Sequence, residues 1–133
     1  MSPAFLDTVG LIAVWDRDDQ WHEAASRAFD ALMSARVPLI TTTYVLAECG
    51  NAAARTPFRR DVFELRERIE SGGRLVKSTD VDWLLAWENY RRGEAGQAGL
   101  VDHLSFVVMR RLGLVEAFTN DRHFNAAGFR VLF

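Results

Sequence analysis

Short apolar runs alternate along the chain with longer segments of helical periodicity, and that alternation predicts most of the architecture. Residues 3–6 are a brief apolar run ending at Asp7, and Thr8-Val9-Gly10 then opens a helical pattern through Leu11, Ile12 and Trp15. A strand that delivers Asp7 to its carboxyl end is the simplest reading. Residues 16–20 form a polar loop, with Asp19 placed to cap a helix over 20–36 whose Trp21, Ala25, Phe29 and Leu32 mark a buried stripe. Residues 38–42 (PLITT) are continuously apolar, as a buried parallel strand should be. A helix over 44–54 carries Glu48 and stops at Thr56-Pro57, and an amphipathic helix over 58–71 closes at Gly72-Gly73. A third strand over 74–77 follows, after which Thr79 or Asp80 caps a helix reaching about Arg92.

The last third is organised around residues 99–124, GLVDHLSFVVMRRLGLVEAFTNDRHF. After a flexible loop over 93–99, a helix begins near Asp102, and Leu104, Val107, Val108 and Leu112 give it one apolar face. Gly113 breaks it, EAFT forms a strand, and the segment ends abruptly at Asn120-Asp121; residues 130–133 supply a last short strand. Strands alternating with helices imply βαβ units, right-handed crossovers and a parallel sheet. A doubly wound sheet of this kind places its cleft at the switch point, beyond the strands' carboxyl ends.

Length and composition narrow the class without naming a chemistry. The chain of 133 residues suits one domain with a real core, and its 49% apolar and 26% charged residues are an ordinary globular balance. No apolar run approaches the ~20 residues of a membrane span, and no charged-then-apolar leader opens the chain. A single cysteine, Cys49, excludes an internal disulfide framework and accords with a reducing cytoplasm, the expected location. Fifteen arginines stand against one lysine, Lys77. Arginine suits phosphate recognition, but a GC-rich genome yields the same bias, and that reading accounts for most of them. The pairs Arg59-Arg60, Arg91-Arg92 and Arg110-Arg111 read as solvated faces before they read as an RNA track.

Four acids fall where chemistry is expected. Asp7 ends the first strand, Glu48 lies in the second turn of the helix after the second, Asp102 opens a helix, and Asp121 ends the fourth strand. Each has a bland alternative: helix cap for Asp7 and Asp102, turn residue for Asp121, surface residue for Glu48. Glu48 also shares a face with Tyr44 and Val45, an apolar neighbourhood in which a carboxylate wants a cation or a hydrogen bond. Clustered carboxylates oppose one another's ionisation, and a hard divalent cation with oxygen ligands removes the conflict. A Walker loop, a zinc-ligand spacing and an EF-hand loop are all missing from the sequence.

The motifs, taken in order, resemble those of PIN-domain ribonucleases of the VapC toxin type. The matching residues are Phe5-Leu-Asp-Thr with Gly10-Leu-Ile-Ala, then TTTYVLAE over 41–48, and Asp102-His-Leu-Ser-Phe-Val-Val-Met. They close with Thr119-Asn-Asp-Arg-His-Phe and Ala127-Gly128-Phe. The resemblance spans residues 1–133 as a single PIN-like α/β domain with a central parallel sheet of four to five strands flanked by helices. It implies a Mg²⁺- or Mn²⁺-dependent endoribonuclease, the toxin of a toxin–antitoxin pair, with Asp7, Glu48, Asp102 and Asp121 as catalytic and metal-binding acids. Thr8 and Thr119 are implied as polar supports. Implied partners are RNA, a cognate antitoxin and a second copy of the chain, with no membrane. Two departures bear on local shape: Ala98-Gly-Leu-Val101 replaces a frequent Trp, Ser and Thr pattern, and His103 replaces a frequent cysteine.

Net charge is −2, yet setting aside the four proposed ligands leaves fourteen acids against sixteen basic residues, a body of +2 that tolerates RNA. Competing readings are weaker on the residues. A receiver-type phosphoacceptor wants adjacent acids after the first strand, and a haloacid-type phosphatase wants Asp-x-Asp, whereas Asp7 is followed by Thr8-Val9. A non-catalytic scaffold would use the acids structurally, and a DNA substrate shares every feature of an RNA one. His103 and His123 flank two of the acids and are read as supporting or surface residues. Trp15, Trp21, Trp83 and Trp87 are read as core or interface, and the helices over 58–71 and 80–92 carry surplus apolar surface for a dimer.

Overall fold

Five short parallel strands build one sheet: β1 (Ala4–Leu6), β2 (Leu39–Thr42), β3 (Leu75–Val76), β4 (Glu116–Phe118) and β5 (Arg130–Val131). The structure, a computed structural model, describes residues 2–133. The spatial order β3-β2-β1-β4-β5 begins at the centre, runs outward to β3, then crosses to the other side for β4 and β5. The switch point therefore lies between β1 and β4, where Leu6 stands opposite Phe118. The next residues, Asp7 and Thr119, emerge side by side from that register.

Among the described residues seven helices cover the sheet: α1 (Thr8–Trp15), α2 (His22–Ser34), α3 (Thr43–Ala53), α4 (Arg59–Ser71), α5 (Asp80–Arg92), α6 (Leu100–Leu112) and α7 (Arg122–Ala126). All three residues of β1 are buried, as a central strand covered on both faces requires. Phe5, Leu6, Leu11, Phe106, Phe118 and Phe124 are among the largest fully buried side chains and form the main core. Every residue of α6 from His103 to Met109 is buried, whereas Leu112, predicted on the same apolar face, is exposed at the last turn, where the helix runs past the core. A second, smaller cluster of Ala86, Leu104 and Val107 joins α5 to α6.

Local chemistry sets the ends of these elements. Thr42 caps α3 by accepting the Val45 N–H at 3.2 Å, and Thr79 with Asp82 forms a reciprocal capping box at the start of α5. Gly93 and Gly113 close α5 and α6 in the left-handed conformation that glycine adopts without strain. Asp82 is buried and receives two hydrogen bonds from Arg111, at 3.0 and 2.7 Å, which clamp α5 to α6. Burial raises the Asp82 carboxyl, and donation from Arg111 and Thr79 outweighs it, so the pKa ends below the ordinary carboxylate value.

Two expectations change. The second helix begins at His22 rather than at residue 20, because Asp19 turns back to accept the Trp21 N–H at 2.8 Å instead of capping a helix. Trp21 consequently precedes the helix and is 48% exposed, while Ala25 and Leu32 keep the buried stripe. Residues 122–126, which carry no predicted element, form α7. The strands number five, at the upper end of the expected range.

Candidate functional site

Asp7 follows β1 and occupies the N-cap position of α1, but its side chain makes no capping bond. It turns instead toward β4, where the Thr119 hydroxyl donates to Oδ2 at 2.9 Å. The same Thr119 oxygen accepts the Asp121 N–H at 3.1 Å, so one buried threonine fixes both acids at the switch point. Asp121 caps α7 through Oδ1, which accepts the His123 N–H at 2.9 Å. Asp102 lies in the first turn of α6 and accepts the Gly99 N–H at 3.3 Å. Glu48, on α3, accepts from the Thr8 hydroxyl at 2.7 Å, which ties the first turn of α1 to the second turn of α3.

The carboxyls lie close enough to raise one another's pKa. Asp7 is only 2% exposed. Burial first, then the neighbouring Asp102 and Asp121 charges, push its pKa from 3.8 up to about 7, against the opposing bond from Thr119. Burial and the charges of Asp121 and Glu48 push Asp102 up to about 6. The arginine ion pairs among the described residues are spent on Glu64, Glu70, Glu88, Glu94, Asp82 and Glu116, none of them in this cluster. Asp7, Asp102 and Asp121 thus have no arginine or lysine partner among the described residues. Asp102, Asp121 and His123 each offer one ligand atom, all within 4.8 Å of one another. The carboxylate oxygens fit a hard divalent cation such as Mg²⁺ or Mn²⁺.

The structure sets each flagged residue in place. Asp102 and Asp121 come together with His123, while Asp7 is tied to Asp121 through Thr119 and, like Glu48, lies outside the group whose donor atoms fall within 4.8 Å of one another. Glu48 stands at the rim and is solvent-exposed, not on a partly buried face, because Tyr44 and Val45 turn away from it into the α5–α6 side and the core. His103 is fully buried, with edge-to-face contacts to Tyr90 and Phe106 and no hydrogen-bond partner at Nδ1. Burial pushes its pKa down, and in that position the ring has no access to a substrate. His123 is half-buried, and its Nδ1 lies 2.9 Å from Asp121 Oδ1. Sequence reading gave His123 a supporting role; its spacing of two from Asp121, across a helix cap, was the available signal for its place in the cluster.

The family described as PIN domain matches residues 4–130. The chain belongs to the PIN domain family. The 23S rRNA-specific endonuclease VapC20 of Mycobacterium tuberculosis is 31% identical over 134 residues, covering 94% of either chain. The crystal structure of that VapC20, described as a sarcin-ricin loop cleaving toxin, superposes with a TM-score of 0.80 at 29% identity over 95% of both chains. FitAcB from Neisseria gonorrhoeae shares the PIN fold with a TM-score of 0.65 at 17% identity, over 98% of this chain and 96% of that one. DNA-bound VapBC from Salmonella typhimurium does so at 0.63 and 18%, over 98% and 97%. The VapC type named from the motifs is thus the type of the 31%-identical relative.

Proposed function

We propose that this PIN domain protein is a divalent-metal-dependent endoribonuclease, the toxin of a toxin–antitoxin pair, acting in the cytoplasm. The observation that carries the proposal is the convergence of Asp102 and Asp121 at the switch point, with the buried Asp7 beside them and no arginine or lysine paired to any of the three among the described residues. The relative at 31% identity is named for cleavage of 23S rRNA, which makes ribosomal RNA the first substrate to test. VapC-type relatives also supply the expectation of a cognate antitoxin. Among the described residues no helix is long and apolar enough to cross a membrane.

Each residue has a task in this reading. Asp102 and Asp121 hold the cation, with Asp7 behind them as a third carboxylate. A bound Mg²⁺ or Mn²⁺ would neutralise charge on a phosphodiester and ease deprotonation of an attacking water. Thr119 keeps Asp7 and Asp121 in register, and Thr8 orients Glu48. Exposed at the rim, Glu48 accepts the proton of the attacking water. Attack is in line and leaves a 5′-phosphate and a 3′-hydroxyl, as the resemblance to the family implies. No 2′-hydroxyl is used, and the buried His103 is not available to pair with His123 as acid and base.

The test combines chelation, substitution and end analysis. EDTA abolishes cleavage, Asp102→Asn lowers it by roughly a hundredfold or more while the fold survives, and the products lack cyclic phosphate. Cleavage that persists in EDTA, or ends bearing 2′,3′-cyclic phosphate, overturns the proposal.

A further inference from the structure

Resting on the reading of the acids as a cation site, we infer that His123 is itself a ligand. The site is then a mixed nitrogen–oxygen one that takes Mn²⁺ in preference to Mg²⁺. Among the described residues, Asp102, Asp121 and His123 form the group of His, Cys, Asp and Glu whose donor atoms come within 4.8 Å of one another. Two neighbouring ligands of an octahedral ion, each at about 2.1 Å, lie about 3 Å apart. The 2.9 Å between His123 Nδ1 and Asp121 Oδ1 matches that spacing.

The ring is held there by packing. Phe124, the next residue, is fully buried, with its ring centroid 4.9 Å from that of Phe106 on α6. Asp121 fixes the first turn of α7 through Oδ1, which accepts the His123 N–H and is the same oxygen that lies beside His123 Nδ1. A buried phenylalanine and a cap thus present the imidazole to the α6 edge that carries Asp102. The ring is 39% exposed, so an ion reaches it without local opening.

The competing role is positional, in which His123 only orients the Asp121 carboxylate, as imidazoles often do beside metal-bound acids. The two roles separate by metal. Mg²⁺ is hard, favours oxygen and gains little from an imidazole, whereas Mn²⁺ accepts nitrogen more readily. Loss of an orienting contact weakens both ions alike; loss of a nitrogen ligand weakens Mn²⁺ selectively.

Titration calorimetry of the intact protein with Mn²⁺ and with Mg²⁺, alongside His123→Gln, reads this directly. Pulsed paramagnetic resonance of the Mn²⁺-loaded protein adds a second signature, the coupling to a directly bound ¹⁴N. The expected result is a ¹⁴N coupling in the wild type that His123→Gln abolishes. Mn²⁺ affinity should fall roughly tenfold or more while Mg²⁺ affinity changes by less than about threefold. Binding of Mn²⁺ with no nitrogen coupling, or equal weakening of both ions, overturns the inference and leaves the nuclease reading standing. Failure of the wild type to bind either ion sinks both.

Discussion

Asp7 combines full burial, two acidic neighbours and a single hydroxyl donor, and its protonation follows from that combination. Without an ion its carboxyl keeps the proton up to about pH 7, whereas an unfolded aspartate releases it near 3.8. Between those values the folded state binds more protons than the unfolded one, so stability falls as pH rises. Asp102, raised to about 6, adds to the same trend over the lower part of the window. Asp7→Asn removes the charge and keeps an acceptor for Thr119. The variant should show a flatter stability profile between pH 4 and 7 and, in metal-free buffer at pH 8, a gain of roughly 1–3 kcal/mol. Urea unfolding at pH 5 and pH 8 measures both quantities. A variant with the wild-type slope would mean that Asp7 titrates normally in the fold.

At the scale of elements, the site depends on how closely α1 lies against β4. A Cβ placed on Gly10 would come within 2.2 Å of the Phe118 carbonyl oxygen and 2.8 Å of its ring, so no side chain fits without backbone movement. Gly10→Ala should therefore destabilise the protein by about 1–3 kcal/mol. By lifting α1 it should also part Asp7 from Thr119 and weaken Mn²⁺ binding; thermal unfolding and calorimetry check the two effects, and unchanged stability would refute the packing argument. This contact was not legible in the sequence, where Gly10 reads as part of a helical pattern and of a family motif, neither of which shows what it packs against. The long helices were legible because a period of 3.6 extends over enough residues to be read, and the strands because they are short apolar runs set between helical segments. The short α7 has five residues, too few for periodicity, and its cap, Asp121, reads equally well as a turn. Asp7, Asp102 and Asp121 were legible by position at strand and helix ends. The exposure of Glu48 and the closeness of His123 depend on side-chain direction, which spacing alone does not fix.

Across the whole molecule, apolar surface is unevenly spread. Helix α5 buries Asp82 and Ala86 and turns Val81, Leu84 and Leu85 outward, with Leu84 67% exposed. Phe63 on α4 adds a further exposed ring, and Trp83, Trp87 and Tyr90 line another flank of α5. Exposed apolar residues are ordinary singly, but a helix with this many points to an interface. Resemblance to the family implies a homodimer, and a two-fold pair is the commonest assembly. We expect a dimer at micromolar concentration that uses the outer face of α5. Leu84→Glu tests it cleanly, because a residue so exposed contributes little to the monomer's own stability, within about 0.5 kcal/mol. A glutamate there meets its own copy, or apolar surface, across the two-fold contact and loses water without gaining a partner. Light scattering should then give a dimeric mass for the wild type and a monomeric mass for the variant, with the same unfolding midpoint for the isolated fold. A wild type that is monomeric at these concentrations would refute the assembly, and a variant that remains dimeric would move the interface off this face of α5.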